Sequence, residues 1–145
     1  MRISDILRVK GNKVVTVTPG SDVTQLVTLL AEHKIGAVVV SADGVRVDGI
    51  VSERDVVRAL AARGPAVLTE PVSAIHTVQV RSVPPEAAIE DVERLMTDRR
   101  FRHVPVLENG ALVGVISIGD VVKHRIDELE AERTSLEGYI TGERI

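Results

Sequence analysis

The sequence predicts an α/β fold in which two β-α-β-β-α repeats pack with approximate twofold symmetry, followed by a C-terminal helical extension. Three observations predict it. The chain duplicates itself, Val14–Ile35 matching Val80–Phe101 at an offset of 66 residues (Val14 to Val80). Each copy carries the same order of local signals, helix start, amphipathic run, apolar run, turn and second apolar run. Each copy, at about 50–60 residues, is too short to bury both faces of its sheet alone, so the two must pack together.

The elements follow in order. Paired positions are Val14/Val80, Val17/Val83, Pro19/Pro85, Val23/Ile89, Leu26/Val92, Leu29/Leu95 and Leu30/Met96. A lead-in also recurs, Ile3-Ser4-Asp5-Ile6 against Val72-Ser73-Ala74-Ile75. Val14–Val17 and Val80–Val83 are the opening strands. Ser21-Asp22 and Pro84-Pro85-Glu86 are helix starts, by a capping side chain or an early proline. Apolar residues at 23, 26, 27, 29 and 30, and at 89, 92, 95 and 96, then share one helical face. The runs Ile35–Val40 and Phe101–Val106 are short buried strands. Asp43-Gly44 and Asn109-Gly110 are hairpin-turn signals. The return strands Gly49-Ile50-Val51 and Gly114-Val115-Ile116 lead into second helices, Glu53–Arg63 and Ile118 to about Glu137. Residues 1–64 therefore form the first repeat with its lead-in, 65–71 a linker, 72–126 the second repeat and 127–145 the extension. Gly64 ends a helix and Pro65 prevents its resumption.

Composition narrows the function. Hydrophobic residues are 44% and charged residues 27% of the chain, ample for a core and a wetted surface. Aromatics are 1%, Phe101 and Tyr139, so stacking platforms for single-stranded nucleic acid are not expected. A net charge of −3 attracts neither nucleic acid nor anionic lipid as a whole. Without cysteine there is no disulfide or thiolate chemistry. No apolar run approaches the ~20 residues of a membrane span, and Met1–Asp5 turns polar too soon for a secretory leader. A cytoplasmic location without membrane contact is the expectation.

Each copy ends in a Gly–apolar–apolar–Ser–x–x–Asp block, Gly49 to Asp55 and Gly114 to Asp120. That doubled block, after a hairpin and opening a helix each time, resembles the CBS domain (named after cystathionine β-synthase), tandem pairs of which form the Bateman module. The resemblance runs from Ile3 to about Ile126. It implies binding of AMP, ADP, ATP or S-adenosylmethionine in two clefts between the repeats. The Asp would hold the ribose hydroxyls, Ser and nearby basic residues the phosphate, and strand backbone the adenine. One cleft would combine Ser117 and Asp120 with Ile35, Gly36 and Ala37. The other would combine Ser52 and Asp55 with Phe101, Arg102 and His103. Arg54, Arg102 and His103 would neutralise phosphate. Gly119 stands where Arg54 does, and Gly36-Ala37 where Arg102-His103 do, so the two clefts should grip phosphate unequally.

Plainer readings stand beside these. Ser52-x-x-Asp55 and Ser117-x-x-Asp120 also fit a capping box. Arg102 and His103 also fit solvated surface charges. Arg99, Arg100 and Arg102 fit a helix C-terminal cluster or phosphate neighbours better than a nucleic-acid patch. His33, His76 and His124 have no metal-ligand spacing. Val122, Ile126, Leu129, Leu136 and Ile140 form an apolar stripe on the last helix. It would cover its own module, the same helix of a second chain, or another partner.

The expected function is regulatory and not enzymatic, since no nucleophile–base pair stands out. An adenosine nucleotide would act as regulatory ligand, without a cofactor, through a regulated partner protein or the chain's own homodimer. The alternatives are a structural dimerisation module without ligand and a nucleotide-processing enzyme.

Overall fold

A computed structural model describes residues 1–11, 14–99 and 101–140, the side chain of Ile140 excepted. Arg100 of the basic cluster and the Ile140 end of the apolar stripe therefore fall outside what is described.

The first repeat comprises β1 (Thr16–Val17), α2 (Val23–His33), β2 (Ala37–Val40), β3 (Gly49–Ser52) and α3 (Glu53–Arg63), preceded by helix α1 (Ile3–Lys10). Asp22 caps α2, its carboxylate accepting from the Gln25 N–H at 2.8 Å while Gln25 Oε1 accepts from the Asp22 N–H at 3.0 Å. Val23, Leu26 and Leu30 then bury one helical face. The sheet runs β1-β2-β3, with β1 parallel and β3 antiparallel to β2. All four residues of β2 are buried, as a central strand covered on both faces requires.

The second repeat comprises α4 (Ile89–Arg99), β4 (His103–Glu108), β5 (Ala111–Ser117) and α5 (Ile118–Ile140). Its hairpin is the tight one that Asn109-Gly110 predicts. Both residues have positive φ, 53° and 82°, and they join the paired residues Glu108 and Ala111. The first hairpin is different. Residues 41–48 form a longer loop, in which Asp43 Oδ1 accepts from the N–H groups of Val45 and Arg46 at 2.8 and 2.9 Å. These two donors, Arg46 foremost, hold the Asp43 carboxyl below the usual carboxylate range. Asp43-Gly44 thus shapes a side-chain-supported turn inside the loop.

The opening strand expected at Val80–Val83 is reduced to one residue. Only Val83 pairs, parallel to Val106. Its N–H reaches Pro105 O at 3.1 Å and its carbonyl accepts from Leu107 N–H at 2.9 Å. Pro84 and Pro85 have no N–H to continue a ladder. They also delay α4, which starts at Ile89 rather than beside the prolines. Thr77, six residues earlier, pairs with Ile50 on the edge of the first sheet. Segment 77–83 thus strings from one sheet to the other.

The two lead-ins are exchanged. Ile3, Ile6 and Leu7 of α1 lie in the core of the second repeat with Val83, Ile89, Val92, Met96, Val104, Val106, Ile116 and Val121. Val72 lies in the core of the first repeat with Val17, Val23, Leu26, Val38, Val40, Val51 and Val56. Matching backbone bonds fix both: Ile3 N–H to Ala87 O at 2.9 Å and Ser4 N–H to Pro85 O at 2.8 Å, against Val72 N–H to Ser21 O at 2.7 Å and Ser73 N–H to Pro19 O at 3.1 Å. Each half is completed by the other's lead-in. Segment 65–71 is likewise packed, forming a 3₁₀ turn at Pro65–Thr69 with Val67 buried.

Past Val121, α5 leaves the core. Val122, Ile126, Leu129 and Leu136 are 49–62% exposed, so no described residue of this chain covers the stripe. Among the described residues no helix is long and apolar enough to cross a membrane.

Candidate functional site

Strand β3 ends at Ser52, whose side chain caps α3. Ser52 Oγ accepts from the Asp55 N–H at 3.3 Å, and Asp55 Oδ2 accepts from the Ser52 N–H at 2.8 Å and from its hydroxyl at 3.1 Å. The capping-box reading is therefore realised. It consumes one carboxylate oxygen only, because Asp55 Oδ1 takes no hydrogen bond from a described residue. A carboxylate held by its Oδ2 keeps Oδ1 for a ligand, so cap and ligand roles coexist on one side chain.

Asp55 lines a cleft of about 610 Å³, within the size range of small-molecule sites. The cleft joins Ser52, Arg54 and Asp55 to Phe101, Arg102 and His103, the grouping expected from the sequence. It also contains Gly36 and Ala37, which were expected opposite Asp120. Their placement follows from the β2–β3 ladder, where Ala37 pairs with Ser52, and from the Glu53 N–H to Gly36 O bond of 2.9 Å. A Cβ built on Gly36 would stand 3.4 Å from Glu53 Oε1 and 3.9 Å from His103 Cε1, so glycine leaves the cleft floor open.

The cleft is cationic although the chain is acidic. Arg54, Arg58, Arg81 and Arg102 line it, against Glu53 and Asp55. None of the four arginines forms an ion pair with a described residue. Free guanidinium forks beside a helix N-terminus make an anion-receptive surface. His103 adds hydrogen-bonding capacity more than charge. Burial, with Lys10 next, holds its imidazole below the ordinary histidine value, against the pull of Asp120 and Glu53.

Sequence reasoning missed Arg58, Thr77, Gln79, Val80 and Arg81 in this cleft. Arg58 was findable, since it lies one turn past Arg54 on the helix that Ser52 caps. Arg81 was not. It arrives through the strung segment 77–83, of which the repeat alignment makes Val80–Val83 a strand.

The second block repeats the local geometry. Asp120 Oδ2 accepts from the Ser117 N–H at 2.9 Å, the Asp120 N–H donates to Ser117 Oγ at 3.1 Å, and Ile118 N–H reaches Arg102 O at 2.8 Å. Its surroundings differ. Lys10, from the end of α1, donates to Asp120 Oδ2 at 2.7 Å and to Val115 O at 2.8 Å. Burial opposes ionisation of Asp120, but the Lys10 and Ser117 hydrogen bonds outweigh it and hold the carboxyl below its usual value. Asp120 faces a groove between α1 and α5 and is not joined there by Gly36 or Ala37. Ile35 packs against the first core cluster, and Gly119 is exposed on the first turn of α5. Among the described residues no cluster of three or more metal-ligating side chains occurs.

The CBS-domain family model matches residues 3–62 and 72–127. A mitochondrial CBS-domain protein of Arabidopsis thaliana is 33% identical over 148 residues, spanning 97% of this chain and 72% of that protein. The crystal structure of a CBS-domain protein of Agrobacterium tumefaciens superposes with a TM-score of 0.82 at 48% identity, covering 86% of this chain and 99% of that one. A CBS-domain protein of Pyrobaculum aerophilum, solved in complex with AMP, gives a TM-score of 0.73 at 30% identity, covering 83% and 89%.

Proposed function

The chain belongs to the CBS-domain family, and from that premise we propose that it is a regulatory module whose ligand is an anionic adenosine nucleotide held in the Asp55 cleft. The observation that carries this reading is the pairing, in one cleft, of a carboxylate whose Oδ1 takes no hydrogen bond from a described residue and four arginines without an ion partner among the described residues. The first suits the two hydroxyls of a ribose, the second a phosphate. The AMP complex of the Pyrobaculum aerophilum relative supports it. The same charge favours AMP, ADP or ATP over S-adenosylmethionine, whose sulfonium would sit among guanidinium groups. The nucleotide acts by preferring one state of the module, which a partner protein or the assembly then reads.

Thermal unfolding tests the reading. At ten times Kd a ligand that binds only the folded state adds about 1.4 kcal/mol, a shift of several degrees in Tm. AMP, ADP or ATP at millimolar concentration is expected to raise Tm. If all three leave it unchanged, the remaining reading is a ligand-free structural module, which the self-satisfied capping boxes favour.

The proposal includes a homodimer, supported by the uncovered apolar stripe of α5. Light scattering at micromolar concentration should give twice the chain mass of 15.6 kDa. A monomer mass would remove the dimer from the proposal and leave the cleft untouched.

A further inference from the structure

The repeats present the same Ser-x-x-Asp cap twice, and each carboxylate is held by its Oδ2, yet only the one at Asp120 is met by a cation. At Asp55 the capping oxygen Oδ2 is met by groups of its own block, the Ser52 N–H and hydroxyl. At Asp120 the same oxygen is met by the Ser117 N–H and by an ammonium from 110 positions away, Lys10 Nζ at 2.7 Å. The Lys10 ammonium makes a second bond, to Val115 O at 2.8 Å, in the return strand that leads to Ser117. It therefore bridges the strand end and the carboxylate, and with Asp120 it lines the groove that a ligand of that carboxylate would occupy.

Lys10 is not a free surface arm. It closes the last turn of α1, whose Ile3 is fully buried and whose Ile6 and Leu7 are buried in the second repeat. Leu7 packs so closely on Gly114 that a Cβ added there would come within 2.5 Å of its Cδ2. The exchange of lead-ins is thus what delivers a lysine to this aspartate. Displacing the ammonium means breaking two charge-assisted hydrogen bonds at a partly buried site, with the helix behind it anchored.

We propose that Lys10 is an internal occupant of the second repeat's carboxylate, so that the chain takes one nucleotide, at Asp55, and is specifically closed to a second at Asp120. The inference rests on the nucleotide reading of the Asp55 cleft and goes beyond it, naming the side chain that sets stoichiometry. The depressed carboxyl of Asp120 agrees with a lasting ion pair.

Calorimetry on the full chain with AMP as probe tests it. The parent should show one binding event per chain. Lys10→Met keeps the aliphatic stem and removes the ammonium, and should show two. Lys10→Arg keeps a cation and should show one. Adding Asp120→Asn to Lys10→Met should abolish the second event. Two events in the parent would overturn the inference, as would a single event in folded Lys10→Met. Absence of any event in the parent and in Lys10→Met would overturn the nucleotide reading and this inference with it. A second readout needs no variant. On titrating the parent with AMP, the carboxyl carbon signal of Asp55 should move and that of Asp120 stay. Movement of Asp120 comparable to that of Asp55 would overturn the inference.

Discussion

Replacing Asp55 by Asn should weaken AMP binding by roughly 30- to 1000-fold, or about 2–4 kcal/mol, with little change in Tm. The two consequences separate because they draw on different oxygens. Asp55 Oδ2 accepts the Ser52 N–H, and an amide carbonyl can still do so. Oδ1 has no described partner and is the acceptor for ribose in the proposed mode. An amide nitrogen in its place donates where the hydroxyls also need to donate. Loss of a helix-terminal carboxylate alone costs about 0.5–2 kcal/mol of stability, with or without ligand. Calorimetry and thermal unfolding of Asp55→Asn therefore decide between cap and ligand. Parent-like affinity with a lowered Tm would reduce Asp55 to a cap. Asp120→Asn serves as the internal comparison, with AMP affinity expected within about threefold of the parent, because its carboxylate already faces Lys10.

The second large effect concerns Gly49. A Cβ added at Gly49 would stand 2.7 Å from Thr77 O and 2.8 Å from His76 Nδ1. The first neighbour is backbone and is held by the Ile50–Thr77 pair, whose two bonds measure 3.0 and 2.9 Å. It cannot swing aside. Gly49→Ala should therefore cost about 3 kcal/mol, the upper end of overpacking. It should also weaken AMP binding, since Thr77 and Arg81 of the displaced segment line the cleft. Gly114 is its counterpart in the second repeat, but there the obstacle is the end of the Leu7 side chain. That end can rotate, so Gly114→Ala should cost nearer 1 kcal/mol. Urea unfolding of both variants checks the order, and equal or reversed costs would reject the argument.

Both glycines were legible as the first residue of the repeated block, but the reason for them was not. Neither has positive φ, so no turn requires them. Each is instead the place where the other repeat's lead-in crosses a return strand, His76-Thr77 over Gly49 and Leu7 over Gly114. The sequence alignment pairs lead-in with lead-in and block with block, and holds no term for which lead-in crosses which block.

What the sequence determined by itself is local or repeated. Helical periodicity placed α2, and the Ser-x-x-Asp block placed Glu53–Arg63, because apolar spacing and caps act within a few residues. Asn109-Gly110 specified a tight hairpin because both positions need positive φ. Duplication made the α/β architecture and the family resemblance readable, and with them the meeting of Ser52, Arg54 and Asp55 with Phe101, Arg102 and His103. Tertiary structure decided what lies between repeats. It shifted Gly36 and Ala37 to the Asp55 side, brought Arg81 in on the segment that runs from the Ile50–Thr77 bridge to the Val83–Val106 bridge, and sent Lys10 across 110 positions to Asp120. The physical reason is the exchange of lead-ins. Internal repetition preserves the pattern within each copy, whereas the charges that differentiate the two sites arrive from segments outside the aligned blocks, placed by burial of Ile3, Leu7 and Val72 in the opposite core.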